Sequence, residues 1–186
     1  MNNNNVFLFL ATGFEEIEAV AVIDVLRRTE IEITVVSVTG EKLVVGTHGI
    51  TVQADVLFAD ADFSKGNMLI LPGGMPGAKN LDEYKPLIQL INEYYKAGKF
   101  LSAICAAPMI LGKMRLLRNE EAICFPGYEE FLEDAVLSKQ RVVRSGKIIT
   151  AKGAGCAIEF GLKIVETLKN KELADTVGKN MIALNF

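Results

Sequence analysis

Histidine and cysteine are scarce in this chain, and their placement removes whole classes of chemistry. One histidine, His48, and three cysteines, Cys105, Cys124 and Cys156, stand among 186 residues. There is no CxxC pair, and His48 is far from every cysteine in sequence, so no metal site is expected. Three thiols are too few for a disulfide scaffold and their odd number leaves at least one free; in a reducing compartment all three are free. The net charge is only −3, which gives no basic footprint for nucleic acid and no cationic face for a membrane. No apolar run approaches the roughly 20 residues of a membrane-spanning helix. The N-terminal "MNNNNVFLFLATGFEE" lacks a basic leader region, and its apolar stretch is too short for a signal peptide. A cytoplasmic protein is expected. Apart from the four asparagines there is no linker, repeat or low-complexity segment, and residues 1–186 read as one domain that can bury a sizeable core.

What remains is an alternation of β-rich runs and helical patterns. "VFLFLA" (6–11) is a continuous apolar run, as expected for a strand buried on both faces. A helix is predicted over 15–28, a strand over 32–38 and a short hairpin over 41–58 with turn signals at Gly46 and Gly49. "NMLILPGG" is a strand ending in a glycine turn, residues 85–97 a helix, and "GKFLSAIC" a strand. A helix over 106–117 tolerates Pro108 in its first turn. "EAICFPGYEEF" predicts a strand and then a helix, "QRVVRSGKIITA" a hairpin around Ser145-Gly146, and 157–169 and 171–179 two closing helices. Together these predict an α/β sandwich with a largely parallel sheet and helices on both faces.

In open α/β sheets ligands bind beyond the carboxyl ends of the strands, which singles out "ATGFEEIEA", "LPGGMPGAKN" and "AICAAPM". Cys105 lies where a strand gives way to a helix. Small neighbours permit a sharp turn like a nucleophile elbow, although G-x-S-x-G itself is absent. Helix N-terminal N–H groups there would favour thiolate and lower the thiol pKa; a buried, packed cysteine is the alternative. Glu15 and Glu16 need no explanation beyond complementing a helix dipole. Glu18 differs, because Val22 and Val25 follow it at i+4 and i+7 on an apolar stripe, and burial should raise its pKa. Protonated, it could donate to a Cys105 thiolate; ionised, it could act as a base. The Pro72-Gly73-Gly74 turn could direct N–H groups inward and, with the Ala106 N–H, form an oxyanion hole. It is not a phosphate loop of the Walker type, and "KGAGCAIEFG" has Ile158 where a dinucleotide fingerprint wants Gly or Ala.

Taken in order, "GFEEIEAV", "DVLRR", "LPGGMPGAKNL", "AICAAP" and "KGAGCAIEFGLKIVE" resemble the ThiJ/PfpI family over about residues 5–180. The resemblance implies a flavodoxin-like three-layer sandwich that forms homodimers. It assigns the reactive cysteine to Cys105, its carboxylic partner to Glu18, and the oxyanion or substrate-binding backbone to Gly73, Gly74 and Ala106. It also implies glyoxalase or deglycase chemistry on small aldehydes such as methylglyoxal, without a cofactor. Other members are described as oxidative-stress sensors, chaperones or proteases, and thiazole monophosphate biosynthesis is also assigned to the family, though no phosphate loop supports it here. Two departures narrow the reading. Protease-type members carry histidine after the cysteine, where this chain has Ala106, and Phe125 stands where the deglycase type has a histidine near its site. A Cys-His-carboxylate triad would have to recruit His48, from a segment that in relatives lies near the dimer partner's site; an exposed hairpin histidine is the alternative. Asp24 and Arg28 are spaced to pair on their helix or, as in relatives, to lie at the dimer interface. Two functions remain open: an aldehyde-converting enzyme, or a redox-responsive protein whose Cys105 oxidises to sulfinate.

Overall fold

The computed structural model describes residues 5–183, so of the asparagine run only Asn5 falls within it. In chain order the elements are β1 (Asn5–Leu10), α1 (Glu16–Arg27), β2 (Glu32–Ser37), β3 (Leu43–Val45), β4 (Thr51–Gln53), β5 (Val56–Leu57), β6 (Gly66–Leu71), α2 (Gly77–Glu83), α3 (Lys85–Lys96), β7 (Phe100–Ile104), α4 (Pro108–Lys113), β8 (Glu121–Ala122), β9 (Val136–Leu137), β10 (Val142–Ser145), β11 (Ile148–Ala151), α5 (Ala157–Leu168) and α6 (Lys171–Asn180). Seven strands form one sheet in the order β10-β11-β7-β6-β1-β2-β5. Every pairing is parallel except that of β10 with β11.

The apolar run of β1 explains the layers. Its side chains alternate between faces, so Val6, Leu8 and Leu10 pack with Val22, Val25 and Leu26 of α1 and with Phe160 and Val165 of α5. Phe7 and Phe9 face the other way, against Leu81 of α2, Leu87 and Ile91 of α3, and Ile110 and Leu111 of α4. A strand covered on both faces has no polar side, and each fully buried Leu or Phe contributes roughly 1.5–3 kcal/mol of transfer free energy. From β1 the chain runs outward through β2 and β5, then returns to place β6 on the other side of β1. The strand order reverses there, so a crevice opens at the carboxyl ends of β1 and β6.

The departures from the sequence reading have local causes. Residues 77–83 form α2, a helix not predicted, because its short run follows directly on the Pro-Gly turns. The predicted hairpin is β3 with β4, but β5 leaves it and joins β2 in the main sheet. The helix predicted over 106–117 is shortened to α4, and Arg115 and Asn119 beyond it take left-handed backbone. After Cys124 the predicted helix shrinks to a single 3₁₀ turn, Glu129–Phe131. No helix among the described residues is long and apolar enough to cross a membrane.

Candidate active site

Three loops meet at the crevice, tied by backbone hydrogen bonds. Glu15 N–H donates to the Gly73 carbonyl at 3.0 Å and Gly77 N–H to the Gly13 carbonyl at 3.0 Å, which joins the β1–α1 loop to the loop after β6. Cys105 N–H donates to the Ala151 carbonyl at 2.9 Å, which ties the end of β7 to the end of β11. At Cys105 the chain turns sharply. Its φ is +64°, and Ala107 N–H closes the turn on the Ile104 carbonyl at 3.0 Å. A residue with a Cβ held in this region costs about 1–3 kcal/mol, a strain typical of functional turns. The expected elbow is present, built on small residues in place of G-x-S-x-G.

Glu18 lies in the first turn of α1 and is 1% exposed. Its Oε2 accepts the Gly73 N–H at 2.8 Å, while its Oε1 is buried without a hydrogen-bond partner. The carboxyl also adjoins the Cys105 thiol, and each shifts the other's pKa. Gly73 stands between the two: a Cβ there would lie 2.6 Å from Cys105 Cβ and 2.7 Å from Glu18 Oε2. Only glycine fits. Gly74, at φ +86°, occupies backbone that also favours glycine. Its backbone and that of Ala106 act on the Cys105 thiol, each lowering its pKa. Gly73 does not join them, because its N–H is held by Glu18.

Burial pushes Glu18 up to about 7, with the bonds from Cys105 and Gly73 pulling the other way. Burial also pushes Cys105 up to about 12, reinforced by the charge and hydrogen bond of Glu18. The expected depression of the thiol pKa is therefore reversed. The Gly74 and Ala106 N–H groups do lower it, but a desolvated sulfur beside a carboxylate resists a second negative charge. At neutral pH the thiol therefore keeps its proton, while Glu18 stands near its midpoint.

Glu15 and Glu16 do more than complement the dipole. Glu15 caps α1 by accepting the Glu18 N–H at 2.7 Å. Glu16, 5% exposed, accepts the backbone N–H groups of His48 at 2.7 Å and Ile50 at 3.3 Å. His48 Nδ1 lies 2.8 Å from Glu16 and 3.9 Å from Glu15. Glu15, Glu16 and His48 bring one donor atom each within 4.8 Å of one another, and hydrogen bonds that dock the β3–β4 hairpin on α1 account for the grouping. His48 is thus a partner of Glu16 within its own chain. Asp24 and Arg28 pair on the helix at 2.8 Å. Phe125 is brought to the elbow, its N–H donating to the Cys105 carbonyl at 2.7 Å, while nearly half of the residue stays exposed. The roles of Glu16, and of the Arg141 and Lys152 side chains that line a cavity with Phe125, depend on which loops the topology brings together. Local spacing carries no signal for them.

The model of the DJ-1/PfpI family matches residues 4–167. The chain belongs to the DJ-1/PfpI family. It is 37% identical over 183 residues to protein DJ-1 homolog B of Arabidopsis thaliana, covering 97% of this chain and 42% of that protein. The chain thus spans less than half the length of that relative. It is 32% identical over 166 residues to the glutathione-independent glyoxalase DJR-1.2 of Caenorhabditis elegans, covering 89% of this chain and 88% of that one. Among solved structures, oxidized DJ-1 of Toxoplasma gondii superposes with a TM-score of 0.93 at 35% identity, covering 97% and 99% of the two chains. The predicted family and the flavodoxin-like α/β fold are those of these DJ-1 relatives.

Proposed function

We propose that the protein is a cofactor-independent glyoxalase, converting small 2-oxoaldehydes such as methylglyoxal to 2-hydroxy acids. The observation that carries the reading is the contact of Cys105, on a strained elbow, with the buried Glu18 carboxyl. A carboxylate with a pKa near the working pH is suited to general base catalysis, and Glu18 is pushed up to about 7. As Cys105 sulfur adds to the aldehyde carbon, Glu18 takes the thiol proton. The oxyanion of the hemithioacetal is held by the Gly74 and Ala106 N–H groups. Glu18 returns the thiol proton to the oxyanion, which leaves a neutral hemithioacetal and a carboxylate. The carboxylate then takes the proton of the former aldehyde carbon and delivers it to the neighbouring carbon, while the hydroxyl proton passes from the first oxygen to the second. The first carbon is oxidised and the second reduced, so no external electron acceptor enters. Water hydrolyses the resulting thioester, releasing lactate and the free thiol. The similar C. elegans protein bears the name of a glutathione-independent glyoxalase, which supports the reading. The working form we propose is a homodimer, since Ile17 and Val20 of α1 and Leu43 and Ile50 of the hairpin are exposed apolar side chains. Lactate formed from methylglyoxal should be measured with wild type, Cys105→Ser and Glu18→Ala. Wild type should be the sole productive form, and equal rates in all three would refute the mechanism.

A second reading has its own support. The similar T. gondii structure is of an oxidized DJ-1, and a protonated Glu18 would hydrogen-bond a Cys105 sulfinate. After mild peroxide, peptide mass spectrometry should find sulfinate at Cys105 before Cys124 or Cys156. Uniform oxidation of the three would dismiss that role.

A further inference from the structure

Beside the elbow lies a cavity of about 500 Å³, lined by Phe125, Pro126, Arg141, Lys152, Gly153 and Cys156 among others. Each wall is fastened to Cys105 by one backbone bond. Phe125 N–H donates to the Cys105 carbonyl at 2.7 Å, and Cys105 N–H donates to the carbonyl of Ala151, the residue before Lys152, at 2.9 Å. The cavity therefore adjoins the turn that carries the nucleophile, without Cys105 itself among its lining residues, and its volume exceeds that of a three-carbon aldehyde. Ligand cavities run from about 300 to 1,000 Å³, so this one suits a larger body.

Its chemistry is specific. The Phe125 ring, half exposed, lies against Gly153, where an added Cβ would stand 3.3 Å from it. The Cys156 thiol is engaged by its own turn, donating to the Gly153 carbonyl at 3.0 Å and meeting the Gly153 N–H at 3.4 Å. It offers packing surface and no free nucleophile. Two cations border the cavity, and they are not equivalent. The Arg141 guanidinium is bonded to the Gly155 carbonyl and lies 3.4 Å from Glu159, so its charge is largely answered. Lys152 forms no ion pair among the described residues. One uncompensated ammonium beside an aromatic wall matches an anion carried on an apolar body.

We infer that this cavity receives the body of the substrate, and that the preferred class is 2-oxoaldehydes whose aromatic or branched apolar group ends in a carboxylate paired with Lys152. The inference rests on the glyoxalase reading for the reacting end and on the cavity for the rest of the molecule.

The probes are phenylglyoxal and 4-carboxyphenylglyoxal, which differ by one carboxylate, together with their 2-hydroxy acid products, mandelate and 4-carboxymandelate. Wild type should favour the carboxylated aldehyde in kcat/KM by roughly tenfold, the scale of one charge-assisted hydrogen bond. Lys152→Met, which keeps an apolar stem, should erase that ratio, and Lys152→Arg should restore it. Calorimetry should give the same order for the two hydroxy acids, with 4-carboxymandelate held more tightly by wild type than by Lys152→Met. A ratio near one in wild type, or a ratio untouched by Lys152→Met, overturns the inference and leaves the glyoxalase reading standing. If neither aldehyde is turned over but the hydroxy acids still discriminate through Lys152, the glyoxalase reading falls and the carboxylate site stands. If neither turnover nor binding discriminates, the carboxylate site falls.

Discussion

Cys105 and Cys124 lie one backbone bond apart, through Phe125 N–H on the Cys105 carbonyl, yet their surroundings differ in kind. Both thiols are pushed up by burial, Cys105 to about 12 and Cys124 to about 11. After burial, the main cause at Cys124 is the charge of Glu129, with a bond from the Tyr128 backbone opposing it. Cys105 has the Glu18 carboxyl beside it, the Gly74 and Ala106 backbone groups lowering its pKa, and a φ of +64°. Burial alone makes an inert thiol. A buried thiol becomes useful when a neighbour can take its proton and fixed dipoles can hold the charge that then develops. The contrast is therefore one of partners and backbone, since burial raises both thiols.

The largest expected effect is a direct break of that contrast. Cys105→Ser should lower methylglyoxal turnover by at least about 10³-fold, the scale on which enzymes lose a nucleophile. Cys124→Ser should keep turnover within a few-fold, and comparable losses in both would mean that burial, and not the elbow, decides. Glu18→Gln comes next. It retains an acceptor for the Gly73 N–H but cannot take a proton, so a loss of roughly 10²–10⁴-fold is expected. Wild-type kcat/KM should rise with pH through a limb near 7, where Glu18 ionises, and the variant should lack that limb. Stability should show the reverse trend. The folded carboxyl keeps its proton up to about 7, against an ordinary value of 4.5, so between these values the native state binds more protons than the unfolded one. The Glu18 contribution is then fully present below about pH 4.5 and lost as pH rises through about 7. Denaturation from pH 5 to 8 should show Glu18→Gln gaining on wild type by up to about 3 kcal/mol.

Much of this was legible in the sequence because it is written in local patterns. The run 6–11 announced a two-face buried strand, and the i, i+4, i+7 stripe from Glu18 through Val25 marked the buried carboxyl on α1. Cys105 stood between a strand run and small helix-starting residues, which is what an elbow requires. Other features were illegible for a physical reason: they are properties of contact between distant segments. Gly73 was read as a substrate or oxyanion donor, but its N–H goes to Glu18, 55 residues earlier in the chain. The thiol pKa was read from helix N–H groups alone, and burial of the sulfur, reinforced by the carboxylate beside it, reversed the outcome. Glu16 looked like dipole decoration until the hairpin 32 residues on supplied its partner.

Gly73→Ala probes the elbow through space, without altering its chemistry. The added methyl must push apart Cys105 Cβ and Glu18 Oε2, at 2.6 and 2.7 Å from the ideal Cβ. Overpacking of this kind costs about 1–3 kcal/mol, so chemical denaturation should register that loss together with reduced turnover. Full stability with full activity would mean that the two groups do not need their close approach.

The smallest effect is expected at His48, and the reason lies in how the hairpin is held. The imidazole is 67% exposed at its side chain, and its pKa is raised by the hydrogen bond and then the charge of Glu16. Glu16 is itself lowered: burial opposes the shift, but the His48 side chain and the backbone N–H groups of His48 and Ile50 outweigh it. Two of those three inter-segment bonds come from the main chain and survive any substitution at position 48. Further main-chain ties add to them, from Gly13 N–H to the Val45 carbonyl and from Thr47 N–H to the Phe14 carbonyl, each at 2.8 Å. His48→Ala should therefore leave the hairpin docked, with a smaller drop in Tm than Glu16→Ala, which strands the buried end of every one of the Glu16 bonds. Turnover should follow the same order. A loss in His48→Ala as deep as that of Cys105→Ser would instead make the histidine a third member of the acid–base unit.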